Sequence, residues 1–454
     1  MLYKGKVCFL GLGISNFKLL KYFLENKILD YYFVSDSKEI KSEYKEYLLE
    51  NDIPFEENGH TEEIRNCDSY IMSPGISPDS PVGREVIDSK KIYSTEMEIS
   101  LSLLSKKKAG IIVGITGTNG KSTTTTMIGY ALKKTKFKTF VGGNLGNPLI
   151  EALNDDYDFH IVEVSSFQLS WFKYRRKYFD LSILLNIEQD HLNYYSDLEE
   201  YEKAKLKIID ITRDYCFVRD EVMNKFKQNI ISKPREGILT FSNRPGQMFY
   251  YTNDEIAIHK LHLKTDYMKI KGIQNNENLL SSVVILGLLG MDYTDAMEKL
   301  ADYKTLNHRN QLVGEIDGIK FIDDSKATNS HAVITALINQ NPKKTIIILG
   351  GVEKNENYDR LLNLLSFLKK IIVVGDSLSV LIEEFKGRNM EYIKVDSMKE
   401  AVAKAFDSAN EGDTILLSPG GSSFDMYDNY KERGNDFQKN IETLKKLIGS
   451  AHES

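Results

Sequence analysis

The chain reads as an α/β protein of three domains, with a Rossmann-like domain at each end and a P-loop-type domain between them. Three observations predict this. At 454 residues the chain exceeds what one hydrophobic core can organise. Short apolar runs alternate with amphipathic stretches, the grammar of repeated βαβ units. Many of those runs end in Gly, Asp or Ser, at the carboxyl ends of strands, where open α/β sheets place ligands.

Residues 1–94 make the first domain. "KVCFLGLG" is a strand, "NFKLLKYFLENK" a helix, "YYFVSD" a second strand, and "DSYIMSPGISPDSP" a later strand with its loop. "GLGISN" resembles the dinucleotide fingerprint but has Asn16 where the third glycine belongs, while Asp36 closes the second strand about 20 residues on. A tight strand-to-helix turn without a ligand fits this stretch equally well.

Residues 95–303 make the second domain, with strands "GIIVGITG", "FHIVEVSS" and "LSILLNI" and a late helix in "KGIQNNENLLSSVVILGLLG". "GITGTNGKSTTTT" follows the first strand. Gly117 and Gly120 let backbone N–H groups turn inward on an anion, Lys121 supplies a compact cation, and Ser122 offers a hydroxyl for Mg²⁺ at a helix start. Ile115 occupies the place of the first glycine of G-x-x-x-x-G-K-[ST], so only the second half of that pattern is present. The alternative is a glycine-rich turn that merely caps a helix.

"VEVSSFQL" puts Glu163 in an apolar strand, where an unpaired carboxylate is costly. A metal ion would remove that cost; so would a lysine partner or an outward position on an edge strand. Asp190 and His191 follow a strand end and could ligate a cation or lie in polar surface. From Leu198 the pattern is helical, with Leu198, Tyr201, Ala204, Ile208 and Ile209 on one face. Lys205 falls in the middle of that apolar face, while Lys203 and Lys207 point the other way. A lysine so placed snorkels, pairs with a buried acid, loses its proton, or is carbamylated by CO₂ into an anionic metal ligand.

Residues 304–454 make the third domain, with "GIKFIDDSKATN", "KKTIIILGGVEK", "KKIIVVGDS" and "GDTILLSPGGSS" as its strands. "LNHRNQ" brings His308 and Arg309, whose guanidinium can fork onto phosphate oxygens or a carboxylate. "DDSKATN" gathers a carboxylate, a hydroxyl and a lysine after a strand, suited to a ribose or a substrate carboxylate.

Composition excludes other classes. The 59 basic and 65 acidic residues leave a net charge of −6 with no long run of one sign, which gives a nucleic-acid partner no support. Cys8, Cys67 and Cys216 are isolated, which predicts a reducing compartment and neither structural zinc nor a disulfide framework. The basic, apolar start runs into a glycine turn without a cleavage site, and no run approaches the roughly 18 to 20 apolar residues of a membrane helix. A cytoplasmic protein with no membrane partner is expected.

Taken together, "TGTNGKST", "VEVSSFQL", the helix bearing Lys205, "LNHRNQ" and "YKERGNDF" resemble the Mur ligase family, ATP-dependent amide-bond formers of bacterial cell-wall precursor synthesis. The resemblance extends from "GLGIS" near the start almost to the end of the chain. "MSPGISPDSP" and "SPGGSSFD" are similar to the branch that adds D-glutamate, and the "DNPR" stretch associated with diamino-acid recognition does not occur.

The resemblance implies a uridine-diphosphate-binding first domain, a central ATPase and a mobile third domain that closes over the reactants. Ile14, Ser15, Asp36, Ser73 and Gly75 then match the uridine-diphosphate site, and Asn144 a contact to the nucleotide sugar. Gly117, Thr118, Asn119, Gly120, Lys121, Ser122 and Thr123 match the ATP phosphate loop, with Ser122 and Glu163 on one Mg²⁺. His191 and a carbamylated Lys205 match the ligands of a second Mg²⁺. Asn275 and Asn278 match adenine-facing positions, and Arg309 and Asp324 further nucleotide contacts. Lys326, Thr328, Lys354, Ser423 and Tyr430 fall where the family handles the incoming amino acid or the product. The implied substrates are ATP, UDP-N-acetylmuramoyl-L-alanine and D-glutamate, joined through an acyl phosphate by a monomer. Folate polyglutamate ligases share the central loop but lack the first domain, and loss of Lys121, Glu163 or Lys205 would have favoured a non-catalytic nucleotide-binding regulator.

Overall fold

The computed structural model describes residues 5–29, 31–107, 110–172, 176–191, 194–226, 237–304, 306–338, 340–353 and 358–452. It divides into two compact units, one of Met1–Ile187 with Tyr194–Tyr303 and one of Glu188–Asn193 with Lys304–Ser454.

The first unit carries two parallel sheets. Its leading one is built from β1 (Lys6–Leu10), α1 (Ile14–Glu25), β2 (Tyr31–Ser35), α2 (Ser42–Glu50), β3 (Phe55–Glu56), β4 (Ser69–Met72), α3 (Pro81–Asp88) and β5 (Ile92–Ser94). The strand order β3-β2-β1-β4-β5 puts the switch in direction between β1 and β4, so their loops diverge and leave a crevice at the strand ends.

The second sheet follows α4 (Glu96–Lys107). It uses β6 (Ile111–Thr116), α5 (Lys121–Lys133), β7 (Thr139–Gly143), β8 (Phe159–Glu163), α6 (Ser166–Ser170), β9 (Phe179–Leu184), α7 (Leu198–Asp210), β10 (Thr212–Arg219), α8 (Asp220–Phe226) and β11 (Ile238–Phe241). The order is β11-β10-β9-β6-β8-β7. A small antiparallel sheet of β12 (Phe249–Tyr251), β13 (Glu255–Ile258) and β14 (Leu261–Lys264) precedes α9 (Ile273–Leu288) and α10 (Tyr293–Leu300). The two large sheets share a core because α4 is apolar on more than one side: Met97, Leu101 and Leu104 on one face and Ile99 and Leu103 on the other pack in one cluster with Leu20 and Phe23 of α1 and with Ile150 and Leu153. That continuous burial makes one unit of two sequence domains.

The second unit holds β15 (Gln311–Ile316), β16 (Ile319–Asp323), α11 (Ser330–Ile338), β17 (Thr345–Gly350), α12 (Asp359–Leu365), β18 (Lys370–Val374), α13 (Ser379–Gly387), β19 (Ile393–Val395), α14 (Met398–Asp407), β20 (Thr414–Gly420) and α15 (Tyr430–His452). Its order is β15-β16-β20-β17-β18-β19, parallel except for β15. The run "TIIILG" of β17 is apolar throughout because both faces are covered. Ile347 and Leu349 enter the core with α11 and α12, whereas Ile346 and Ile348 enter the opposite core with α14 and α15. All three cysteines are free and buried. Among the described residues no helix is long and apolar enough to cross a membrane.

Candidate active site

The turn after β1 is closed by side chains. Gly11 has φ 75°, and a Cβ there would stand 2.7 Å from Cβ of Ser73, in the loop after neighbouring β4. Asn16 takes up the space of the missing third glycine: it is 1% exposed and its amide donates to the Gly11 carbonyl at 2.8 Å. Asp36 accepts from the Leu12 N–H at 2.7 Å and the Lys38 N–H at 2.9 Å, so its carboxylate braces both loops at this end of the sheet. Ile14 and Gly75 are exposed and Ser15 and Ser73 half-buried, which leaves this rim open to a ligand.

In the central domain, Gly120 caps α5 with φ 84°, and a Cβ there would meet Oδ1 of Asn278 at 2.4 Å. Only glycine allows that approach. Asn186, two residues beyond β9, accepts from the Thr118 N–H through its carbonyl at 2.9 Å and from the Asn119 N–H through Oδ1 at 2.8 Å. The Thr118 hydroxyl and the Tyr201 hydroxyl share a 2.7 Å hydrogen bond, and Thr124 Oγ1 donates to Asn278 Oδ1 at 3.2 Å. Ser122 and Thr123 are buried at the helix start. Asn275 donates to the Lys271 carbonyl at 2.8 Å, one turn before Asn278 on α9.

Two lysines converge on this loop. Lys121 Nζ donates to the carbonyls of Gly117 and Thr118, both at 2.8 Å, and Lys205 Nζ donates to the same Gly117 carbonyl at 2.6 Å. Lys205 is 2% exposed, which excludes snorkelling, and its Nζ lies 5.0 Å from the centroid of the Tyr201 ring. Two ammonium groups on one oxygen make a strongly electropositive point, the setting for phosphate oxygens.

Glu163 ends β8, which lies between β6 and β7, so the edge-strand alternative is ruled out. It is 2% exposed. Oε1 accepts from the Asn144 amide at 2.7 Å, while Oε2 is buried with no hydrogen-bond partner among the described residues. Asn144 therefore holds one oxygen of Glu163 and leaves the other as an unused anionic donor. Such an atom fits a divalent cation, which removes the cost of burying it.

One expectation for α7 needs correction. Lys203 is exposed and paired with Glu199 and Glu200, but Lys207 is half-buried and donates to the Ser170 carbonyl at 2.8 Å. Burial pulls its ammonium below the usual lysine range. The helix packs α6 against its second face, which a single apolar stripe does not reveal.

In the second unit, Asp190 is buried, accepts from the His191 N–H at 2.8 Å and from the Asn329 amide at 2.9 Å, and stands 3.4 Å from His191 Nε2. His308 Nδ1 and Asp323 Oδ2 are 2.7 Å apart, with Gln438 donating to the same oxygen at 2.8 Å. Asp324 accepts from the Asn310 N–H at 3.0 Å and the Ser418 hydroxyl at 3.1 Å; burial pushes its carboxyl up to about 7, with the Arg309 charge acting the other way. Lys326 Nζ stands 4.3 Å from the centroid of the Tyr430 ring. Ser423 is buried and Thr328 half-buried nearby in sequence, while Lys354 lies outside the described residues.

Sequence reading missed Arg433. It is 3% exposed and donates to the Ser325 hydroxyl at 3.0 Å, the Ser325 carbonyl at 2.8 Å and the Gly421 carbonyl at 3.1 Å, so it ties the loop after β16 to the loop after β20. Burial lowers its guanidinium to about 10. Its signal was the "ERG" that opens α15. Asn186 was missed too, although its place just past a strand beside β6 made it findable.

Family models match this chain along its length: the MurD N-terminal domain over residues 6–82, the Mur ligase middle domain over 115–287 and the Mur ligase glutamate ligase domain over 308–421. The chain belongs to the Mur ligase family. This Mur ligase is 38% identical over 440 residues to the UDP-N-acetylmuramoylalanine–D-glutamate ligase of Thermotoga sp. strain RQ2, covering 96% of this chain and 98% of that one. It is 32% identical over 449 residues to the enzyme of the same name from Pseudothermotoga lettingae, at 96% and 97% coverage. Among solved structures, the UDP-N-acetylmuramate–alanine ligase of Thermotoga maritima matches with a TM-score of 0.59 at 20% identity over 97% of this chain and 100% of that one. A MurF ligase of the same organism in complex with ADP matches with a TM-score of 0.57 at 18% identity, over 98% and 96%. At these identities the likeness is one of fold. The Mur ligase activity class is ATP-dependent, ADP-forming ligation.

Proposed function

We propose that this Mur ligase joins D-glutamate to UDP-N-acetylmuramoyl-L-alanine in cytoplasmic peptidoglycan-precursor synthesis. An oxygen of the alanyl carboxylate attacks the γ-phosphorus of ATP and ADP leaves. The D-glutamate amine then attacks the carbonyl carbon of the acyl phosphate, and phosphate departs as the amide forms and the amine gives up a proton. The observation that carries this reading is the convergence of Lys121 and Lys205 on the Gly117 carbonyl, four residues before α5, the first as the cation for phosphate and the second placed to become, as a carbamate, a metal ligand.

Lys121 offsets charge on the transferring phosphoryl group, and the Gly120 turn lets the loop backbone approach the phosphates. Oε2 of Glu163 and the Ser122 hydroxyl would hold one Mg²⁺, and Lys205 as a carbamate would offer an oxygen to a second. Bound there, the ions would neutralise phosphate charge and align the oxygens of the in-line transfer. Asp36, Ser73 and the rim around Ile14 and Ser15 take the uridine diphosphate portion. In the second unit Arg309 and Asp324 serve the nucleotide, and Lys326, Thr328, Lys354, Ser423 and Tyr430 the amino acid. Asn144 orients Glu163 and matches the family position that contacts the nucleotide sugar.

The test is phosphate release from ATP in the presence of Mg²⁺ and UDP-N-acetylmuramoyl-L-alanine, with D-glutamate, L-glutamate, L-lysine and meso-diaminopimelate offered separately. Release that requires D-glutamate is expected. Release with another acceptor alone would overturn the choice of substrate, and none with any acceptor would overturn the proposed reaction.

A further inference from the structure

The loop that follows β4 carries Ser73 and Gly75 and is held from outside its own domain. Ile76 N–H donates to the Ser73 carbonyl at 3.0 Å, which closes a turn with Pro74 at its second position. That internal bond leaves the carbonyls of Pro74 and Ile76 pointing away from the turn. Both face one side chain of the central domain: the Tyr194 hydroxyl lies 2.9 Å from the Pro74 oxygen and 2.8 Å from the Ile76 oxygen and shares its single proton between them. Trp171 Nε1 donates to the Ile76 carbonyl as well, at 2.8 Å, and the Ser77 hydroxyl donates back to the Tyr194 carbonyl at 2.8 Å.

Tyr194 is itself fixed. Its ring stacks on Phe167 with centroids 4.0 Å apart and a 25° interplanar angle, and Phe167 belongs to α6, whose capping residue Ser165 stands two places after Glu163. On its other side Tyr194 meets Tyr195 edge-on at 4.9 Å, and Tyr195 meets Tyr201 at 5.4 Å. Tyr201 is the residue whose hydroxyl bonds Thr118 of the phosphate loop at 2.7 Å. A single aromatic column thus touches the turn after β4 at one end and the phosphate loop at the other.

We propose that Tyr194 is a positioning residue for the uridine-linked substrate, setting the Ser73–Ser77 turn at a fixed place relative to the phosphate loop. The proposal rests on the reading that this turn contacts that substrate. A turn held by the Tyr194 hydroxyl, Trp171 Nε1 and the Ser77 hydroxyl presents Ser73 and Gly75 in one arrangement, so the substrate need not order it on binding; releasing the turn makes binding supply that ordering. Tyr194 acts through the carbonyls of the turn. Its effect should therefore fall on substrate affinity and leave the chemical step and ATP binding largely alone.

Tyr194→Phe keeps the stack on Phe167 and removes only the hydroxyl. The experiment measures kcat and the KM for each of the three substrates in this variant and in Trp171→Phe, with calorimetric binding of UDP-N-acetylmuramoyl-L-alanine and thermal unfolding alongside. The expected result for Tyr194→Phe is a KM and Kd for the uridine substrate raised about tenfold, with kcat and the KM for ATP within about twofold of the parent. Trp171→Phe should give a smaller change in the same direction. Unchanged uridine-substrate affinity in Tyr194→Phe would overturn the proposal, as would equal losses in all three KM values accompanied by a lower unfolding temperature. Failure of the parent protein itself to bind the uridine substrate would instead overturn the functional reading beneath it.

Discussion

The turns after β1 and β6 each break an interior parallel strand, place a glycine at positive φ and enter a helix within a few residues. In both, the glycine makes room for a side chain from a neighbouring segment: Ser73 against Gly11 and Asn278 against Gly120. They differ in what stands opposite. The first turn is braced by the carboxylate of Asp36 and plugged by Asn16, with no cation hydrogen-bonded to its backbone among the described residues. The second receives two ammonium groups on the Gly117 carbonyl. The backbone device is shared, and the charge set against it differs: a carboxylate from the end of β2 at the first turn, Lys121 of the same loop and Lys205 of α7 at the second. A carboxylate suits N–H and O–H donors such as uracil or ribose, and paired lysines suit phosphate oxygens.

The sharpest way to break this contrast is to remove a cation from the second turn. Lys121→Ala should lower kcat for D-glutamate-dependent phosphate release by about 10³-fold or more while the unfolding temperature changes little. A loss below tenfold would mean that bound metal carries the phosphate charge without it.

The next largest effect concerns the junction between the two turns, where Glu96 at the start of α4 is 2% exposed and accepts from the Ile150 N–H at 2.7 Å. Burial raises its carboxyl from 4.5 to about 7. A raised acid favours folding when protonated, so its contribution is fully present below pH 4.5 and is lost as pH climbs through about 7. Glu96→Gln mimics the protonated form. It should stabilise the protein by up to about 3 kcal/mol at pH 8, with the gain vanishing toward pH 4.5, as read from urea midpoints. A gain independent of pH would assign the effect to packing.

Asp36→Asn keeps an acceptor for the Leu12 N–H but removes the charge. The KM for UDP-N-acetylmuramoyl-L-alanine should rise about tenfold with the KM for ATP unchanged; equal changes in both would show that Asp36 serves only the turn. The smallest effect is expected from Asn16→Gly, which completes the three-glycine fingerprint. It should cost about 1 kcal/mol through the lost amide bond to the Gly11 carbonyl and gain no affinity for NAD. Acquired NAD binding would mean that Asn16 alone separates this turn from a dinucleotide site.

The contrast also shows what a linear reading can reach. Periodicity located Lys205, because a charged residue on an apolar stripe stands out, whereas the apolar strand around Glu163 left burial and an outward edge position both open until the sheet order set β8 between β6 and β7. Lys207 escaped because its partner, the Ser170 carbonyl, belongs to a second packing surface. Asn186 and Tyr194 escaped for a related reason: an asparagine past a strand and a tyrosine in a loop look ordinary until the sheet order sets them beside Thr118 and Pro74. Arg433 was hidden by its partners, which are carbonyls and a hydroxyl and leave no charge pattern in sequence. The division into two compact units, with two sheets joined through α4, likewise depends on a helix buried on several sides and not on any linker composition.

The burial of the three cysteines has a practical side. Cys8 and Cys67 lie in the leading sheet's domain and Cys216 in the central one, all at 0% exposure, and the chain has three cysteines in all. A thiol reagent reaches such groups only when the structure around them opens. Labelling rates under native conditions thus form a built-in clock for opening of the first unit alone: the second unit can breathe or melt without a tick, and a ligand that tightens the central domain should slow the Cys216 hand of the clock while leaving the other two to report on the leading sheet.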